Sequence, residues 1–242
     1  MKNKIFLVLF IVPFFSKGQE IVETDRSPYK NTLKWNLTPM AIGGFKNIVF
    51  SYERLLPRNN SFSISSGFLS FPEFVSNSSG IFRNIERTKS TGFTFSGDYR
   101  FYLNRNKFAA PDGIYWGPFF NFYNYNTDFK ADYYESGVYQ ASGEIETNIN
   151  VAFVGVQLGY QFVFKERYTV DLILFGPALG MYNASFKASG DIVPQEELQE
   201  IIDFLKERYP VVRDLTNTGS ADGAGTSWGA GFRYAIKIGY RF

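Results

Sequence analysis

The sequence predicts an all-β protein, folded as an antiparallel, up-and-down β-barrel that crosses a membrane. Three observations predict this fold class. Side chains alternate strictly in character over residues 228–242, short and long connections alternate along the chain, and 19% of all residues are aromatic. This aromatic content exceeds that of ordinary globular domains. Belts of aromatic side chains at two membrane interfaces would account for it.

The alternation is clearest in the segment Trp228–Phe242. Because successive side chains of a strand point to opposite faces, even and odd positions form two surfaces. The even surface is apolar and consists of Trp228, Ala230, Phe232, Tyr234, Ile236, Ile238, Tyr240 and Phe242. The odd surface is small or cationic and consists of Gly229, Gly231, Arg233, Ala235, Lys237, Gly239 and Arg241. A soluble sandwich that packs two apolar faces together is the alternative. Bulky cations between glycines favour the membrane barrel.

The first thirty residues are expected to precede the barrel. Lys2 and Lys4, the apolar run Ile5–Phe15 and the small residues on either side of Lys17 predict a secretory signal peptide over residues 1–18. The apolar run is too short for a membrane-spanning helix, which needs about 20 residues. Residues 19–30 are predicted to be a short periplasmic segment, and residues 31–242 the barrel. The expected location is the outer membrane of a Gram-negative bacterium.

Eight segments have the alternation of strands, and their connections differ in length. The predicted strands are Thr32–Ala41, Lys46–Leu56, Ser61–Phe71, Thr91–Leu103, Ile114–Tyr125, Ile149–Phe164, Tyr168–Tyr182 and Trp228–Phe242. Gly43 and Gly44 are expected to form a tight turn, and the other short connections are Pro57–Asn60, Asn104–Gly113 and Lys165–Arg167. The long connections are Pro72–Lys89, Asn126–Asn148 and Asn183–Ser227.

The contrast in connection length predicts an orientation. Outer-membrane barrels have short periplasmic turns and long external loops. The long connections are therefore expected outside, with both termini in the periplasm. One alternative concerns Tyr133–Thr147, which could continue two strands above the membrane or add a hairpin and raise the strand number to ten.

The polar faces of the predicted strands carry charged residues that should point into the barrel. These are Lys34, Glu53, Asp98, Arg100, Asp171, Arg233, Lys237 and Arg241. They could line a selective pore, and the cationic excess would then favour anions. An eight-stranded barrel leaves an interior just wide enough for side chains, so pairing of opposite charges that fills the lumen is the simpler expectation.

The last long connection contains a helical pattern at Pro194–Tyr209. Leu198, Ile201, Ile202 and Leu205 are spaced as one apolar stripe of a helix, with acidic residues at its start and basic residues at its end. We expect one short helix in this external loop, either as a docking surface for a surface partner or as a lid on the barrel mouth.

The composition excludes several functions. The chain has no histidine and no cysteine, so the common general base, His-ligated metal sites and thiolate sites are all missing. No catalytic activity, cofactor or metal is expected. The formal net charge of +2 lacks the basic stripe of a nucleic-acid-binding protein. Arg83, Arg87 and Lys89 are candidate contacts to lipopolysaccharide phosphates.

The sequence resembles small bacterial outer-membrane barrels of the OmpA/OmpX-like kind, especially the uncharacterised ones common in Bacteroidetes. The resemblance rests on the signal peptide and on the segments Leu33–Leu37, Ser51–Leu55 and Ile238–Phe242. It implies that Tyr240 and Phe242 act as the C-terminal signal read by the barrel-insertion machinery. The expected function is a structural or surface-interaction role carried by the external loops. A narrow channel for small solutes is the alternative, and an enzyme is a distant third.

Overall fold

The computed structural model describes residues 28–70, 82–103, 110–135, 138–189 and 223–242, which form ten β-segments and one short helix. The segments are β1 (Asn31–Asn36), β2 (Ile48–Leu56), β3 (Asn60–Leu69), β4 (Phe82–Tyr102), β5 (Gly113–Glu135), β6 (Val138–Phe164), β7 (Tyr168–Phe175), β8 (Pro177–Ser189), β9 (Gly223–Phe232) and β10 (Ala235–Arg241). The helix α1 spans Thr38–Gly43. No helix in these ranges is long and apolar enough to cross a membrane.

The ten segments make a closed barrel of eight antiparallel strands. β7 and β8 follow each other along the chain and both pair with β6, so they are one strand interrupted at Gly176. β10 and β9 pair with β7 and β8 respectively, so they are one strand interrupted at Arg233 and Tyr234. β1 pairs with β2 on one side and with β10 on the other, and this seam closes the barrel. The predicted all-β, antiparallel barrel and the strand number of eight are confirmed.

The strands are strongly tilted. Ladder partners followed from Asn36 in β1 through β2, β3, β4, β5, β6 and β8 lead to Ser227 in β9. Directly across the seam, however, Asn36 pairs with Lys237, ten residues further along that same strand. A closed eight-stranded barrel with a stagger of this size has strands tilted by roughly 40° and a lumen just wide enough for side chains.

The two sides of the barrel differ in height. β1 has 6 residues, whereas β5 has 23 and β6 has 27. A membrane-crossing strand needs about 9–11 residues, so β5 and β6 extend well beyond that length. We call β4, β5, β6, β8 and β9 the extended wall. The end that carries the β5–β6 tip is the upper end, and the end that carries the turns at residues 57–59 and 165–167 is the lower end.

Several predicted boundaries are wrong. The first strand ends at Asn36 rather than Ala41, because Pro39 at the helix start favours α1, and the expected Gly43–Gly44 turn is the end of this helix. Most of Asn126–Asn148 is not a loop, since β5 and β6 pair almost to their tip. Residues 133–147 therefore continue two strands, and the ten-stranded alternative is wrong. Strands also occupy residues 82–89, 183–189 and 223–227 of the other two long connections. The predicted signal peptide and the helix at Pro194–Tyr209 lie outside the described residues.

Candidate functional site

The interior of the lower half contains a network of buried charges. All eight charged residues predicted to face the lumen are buried, and none has more than 8% of its surface exposed. Seven of them lie on inward-facing rows of their segments, where side chains at every second position point into the barrel, and Arg233 lies at the interruption between β9 and β10. Arg241 lies nearer the lower rim, where its guanidinium donates to the backbone carbonyls of Glu166 and Tyr29.

Asp171 and Glu53 bind the same two cations. The Asp171 carboxylate accepts from Lys34 Nζ at 2.7 Å and from Arg100 Nη1 at 2.8 Å. Glu53 lies 2.6 Å from Lys34 Nζ and 3.5 Å from Arg100 Nη1. These four side chains come from β1, β2, β4 and β7, so the network ties together distant parts of the barrel wall.

Asp98 extends the network towards the upper end. Its carboxylate accepts from Arg100 Nε at 2.6 Å and from Arg233 Nη2 at 3.3 Å. Gln157 Nε2 also donates to it, at 3.0 Å. Because Arg100 bridges Asp98 and Asp171 with different nitrogens of its planar group, its guanidinium fixes the spacing of the two carboxylates.

Neutral side chains complete the network, and the sequence did not identify them as site residues. Tyr102 donates to Glu53 at 2.8 Å and Tyr115 donates to Asp171 at 2.6 Å. Gln161 Oε1 accepts from Lys34 at 2.6 Å and from Arg100 at 3.2 Å. Tyr102 and Gln161 could have been identified as site residues from their positions on the polar faces of their strands. Tyr115 could not have been identified in this way, because both faces of β5 carry aromatic residues. We call this network the lower lumen.

The upper half of the interior is filled by rings packed against glycines. The ring of Phe153 meets Tyr182 edge-on at 5.3 Å and lies 6.3 Å from Tyr123, centroid to centroid. A Cβ added to Gly231 or Gly180 would come within 2.3 Å of Phe153 ring atoms. Only glycine therefore leaves space for this ring at those two positions. We call the cluster of Tyr123, Phe153 and Tyr182 the upper lumen.

The outside of the barrel is apolar around its middle and polar towards the upper end. Exposed outward-facing side chains include Phe50, Val154, Leu179 and Trp228, with 50%, 62%, 73% and 75% of their surface accessible. Tyr240 and Phe242 also face outward, and both are exposed. Across β5, β6, β8 and β9, a last apolar row contains Phe122, Ala152, Met181 and Trp228. The next row upward contains Asn124, Asn150, Asn183 and Thr226.

A ring of four asparagines marks this boundary on β5 and β6. Asn124 donates to Asn150 at 2.7 Å, Asn150 to Asn148 at 2.6 Å, Asn148 to Asn126, and Asn126 back to Asn124 at 2.9 Å. Above this ring, the outward row contains Asp128, Glu146 and Lys187, and Lys130 follows. The wall therefore changes from apolar to neutral polar to charged within a few residues. Of the predicted phosphate contacts, Lys89 is exposed on β4, and the side chains of Arg83 and Arg87 lie outside the description.

Comparison with known proteins adds little to this description. No protein-family model and no curated protein matches the chain. Among solved structures, the chain is similar to a major outer membrane protein from Thermus thermophilus, with 11% sequence identity and a TM-score of 0.39. The match covers 89% of this chain and 100% of that chain. A likeness of this size supports no inference about the present protein.

Proposed function

We propose that this protein is an outer-membrane barrel with a closed lumen, whose extended wall serves interactions outside the membrane. The observation that carries the proposal is the distribution of polarity. The interior holds paired charges, whereas the outer surface exposes a continuous band of large apolar side chains. Soluble monomers rarely expose apolar patches of this extent. A barrel in lipid needs both features, because its outer band meets acyl chains and its closed ladder leaves no backbone edge in the membrane.

A closed lumen follows from the size of the barrel and its filling. Arg100, Lys34, Gln161 and Glu53 are almost wholly inaccessible to solvent and reach across the interior to one another. The upper lumen adds three rings above them. The proposal therefore assigns the chain no solute transport. It also assigns no catalysis, because the whole sequence lacks histidine. Within the described ranges, no group of three or more His, Asp or Glu side chains is placed to hold a metal ion.

Conductance of the refolded protein in a planar bilayer tests the closed lumen. We expect no steady openings, and a heat-induced change of gel mobility controls for folding. A variant with Tyr102→Ala, Tyr115→Ala and Phe153→Ala removes rings from both halves of the lumen and serves as the matched comparison, since it should conduct if the filled lumen is what blocks the wild type. Discrete openings of the folded wild type would contradict the proposal. They would favour the channel alternative, in which the surplus cations of the lumen select anions.

Cysteine labelling tests the orientation of the barrel in the membrane. Because the chain has no cysteine, only the introduced residue can react. Lys130 is exposed on the extended wall above the asparagine ring, and Arg167 is exposed in a lower turn. A membrane-impermeant maleimide should label Lys130→Cys in intact cells and Arg167→Cys only after lysis. The opposite result would place the extended wall in the periplasm and remove its proposed role at the surface. Both termini should lie on the side of Arg167, because Asn31 pairs with Phe242 at the lower end.

A further inference from the structure

We propose that the barrel holds a small inorganic anion, of the halide class, which lies against both Lys237 and the hydroxyl groups of Ser51 and Ser65. The inference begins with the charges of the lower lumen. Apart from Arg241 at the rim, this part of the interior contains the four cations Lys34, Arg100, Arg233 and Lys237 and the three carboxylates Glu53, Asp98 and Asp171. One positive charge is therefore left without a carboxylate.

The surplus charge is assigned to Lys237 by the contacts. Asp171 is its ladder partner on β7, but the Asp171 oxygens are used by Lys34, Arg100 and Tyr115. Within the described ranges, the Lys237 ammonium donates a long hydrogen bond, 3.5 Å, to Ser65 Oγ. Lys237 is nevertheless 1% exposed. A buried ammonium in this position is costly unless another charge compensates it.

The Lys237 ammonium lies beside a pair of hydroxyl groups that can also donate. Ser51 Oγ and Ser65 Oγ lie 2.7 Å apart, and only one of their two hydroxyl hydrogens is used between them. The hydroxyl of Ser63, on the same inward row as Ser65, and Nη1 of Arg233 are buried with no hydrogen-bond partner in the described part of the chain. An anion accepts hydrogen bonds without donating any, so it would satisfy the ammonium and the spare hydroxyl together. The narrow lumen restricts the guest to a small ion.

Refolding in different sodium salts tests the site without requiring an entry path, because an ion can be enclosed during folding. The mature chain is refolded in detergent in sodium bromide and in sodium gluconate at equal concentration. We expect a higher Tm in bromide, rising with bromide concentration as for any ligand that binds the folded state alone. Lys237→Met should abolish this difference and should raise the Tm in gluconate, since it removes an uncompensated charge. Lys187→Met, at an exposed position of β8, should behave as wild type.

Anomalous scattering gives an independent readout. Crystals of the bromide-refolded protein should show a bromide peak beside Lys237 Nζ and Ser65 Oγ, and Lys237→Met crystals should lack it. A bromide dependence that persists in Lys237→Met, or no dependence and no peak in the folded wild type, would overturn the inference and indicate a neutral lysine. The result does not depend on whether the barrel conducts, so it can fail while the proposed closed lumen stands.

Discussion

The lower and upper lumen fill the same narrow space with different chemistry. In the lower lumen, charged groups from β1, β2, β4 and β7 form ion pairs with one another, and each carboxylate accepts at least three hydrogen bonds or ion pairs. In the upper lumen, three rings pack on a wall made of glycines, and the hydroxyl bond of Tyr182 to the Ala230 carbonyl, at 3.1 Å, is exposed.

This difference in chemistry predicts how the stability of the lower and the upper lumen should respond to mutation. A buried ion network loses much stability when one charge is removed, because the partner charges remain buried without compensation. Packed rings lose stability through changes of volume and are insensitive to charge. The paired charges of the lower lumen should therefore be intolerant of neutral substitutions that preserve shape, and the upper lumen should be intolerant of added atoms.

The largest effect is expected for Asp171→Asn. The amide keeps the shape of the side chain but leaves Lys34 and Arg100 with one buried carboxylate fewer, and we expect a loss of about 3–5 kcal/mol of unfolding free energy. Denaturant titration in micelles measures it. Glu146→Gln, on the exposed face of β6, is the matched control and should stay within about 0.5 kcal/mol of wild type. Equal effects of the two variants would show that the network contributes no stability.

Removal of one hydroxyl from the lower lumen should have the next largest effect. Tyr115→Phe leaves a buried Asp171 oxygen without its 2.6 Å donor, and bonds to charged groups are worth about 1.5–3 kcal/mol. Tyr160→Phe is the matched control, because it removes the same hydroxyl group from the outer face of β6. If both variants unfold at the same denaturant concentration, the hydroxyl does not support the network.

One added methyl group should destabilise the upper lumen. Gly231→Ala forces its Cβ against Phe153, and overpacking of this kind costs about 1–3 kcal/mol. Gly97→Ala is the control, because its Cβ would meet nothing closer than the Ser63 carbonyl at 3.9 Å. Adding Phe153→Leu to Gly231→Ala should recover part of the loss. Strict additivity of the two changes would argue against this contact.

The smallest effect is expected for Tyr182→Phe. Its hydroxyl makes an exposed bond to a neutral carbonyl, so we expect a loss of about 0.5 kcal/mol. The comparison with Tyr115→Phe is direct, since both variants delete one tyrosine oxygen from the lumen. A loss as large as that of Tyr115→Phe would mean that the two halves do not differ in the way described.

Alternation predicted the barrel well because it reports on which face is buried. The lumen-facing positions of Lys34, Asp98 and Lys237 follow directly from the period of two along their strands. The partners of each charge could not be predicted in the same way. Lys34 and Asp171 are 137 residues apart in sequence and meet because β10 alone separates β1 from β7. Such contacts depend on the closure and stagger of the sheet.

The strand ends were predicted less well for a related reason. Above the asparagine ring, the outward face of β5 and β6 becomes polar while inward positions such as Tyr125 and Ile149 stay apolar, so the alternation continues with its sense reversed. Backbone pairing continues there regardless of side-chain polarity, whereas the polar residues of this segment predicted a loop. The interruption at Gly176 also blurred the pattern, because a bulge beside it places Leu174 and Phe175 on the same outer side.

Quenching of tryptophan fluorescence by brominated lipids tests the central claim, that the apolar outer band lies in a membrane. The three tryptophans, Trp35, Trp116 and Trp228, all occupy outward-facing positions. Three variants that each keep one of them, with phenylalanine at the other two positions, are refolded into liposomes whose acyl chains carry bromine near the middle. We predict quenching of all three, weakest for Trp228, which lies one row below Asn124, Asn150 and Asn183. Unquenched emission from all three variants in folded protein would contradict the account.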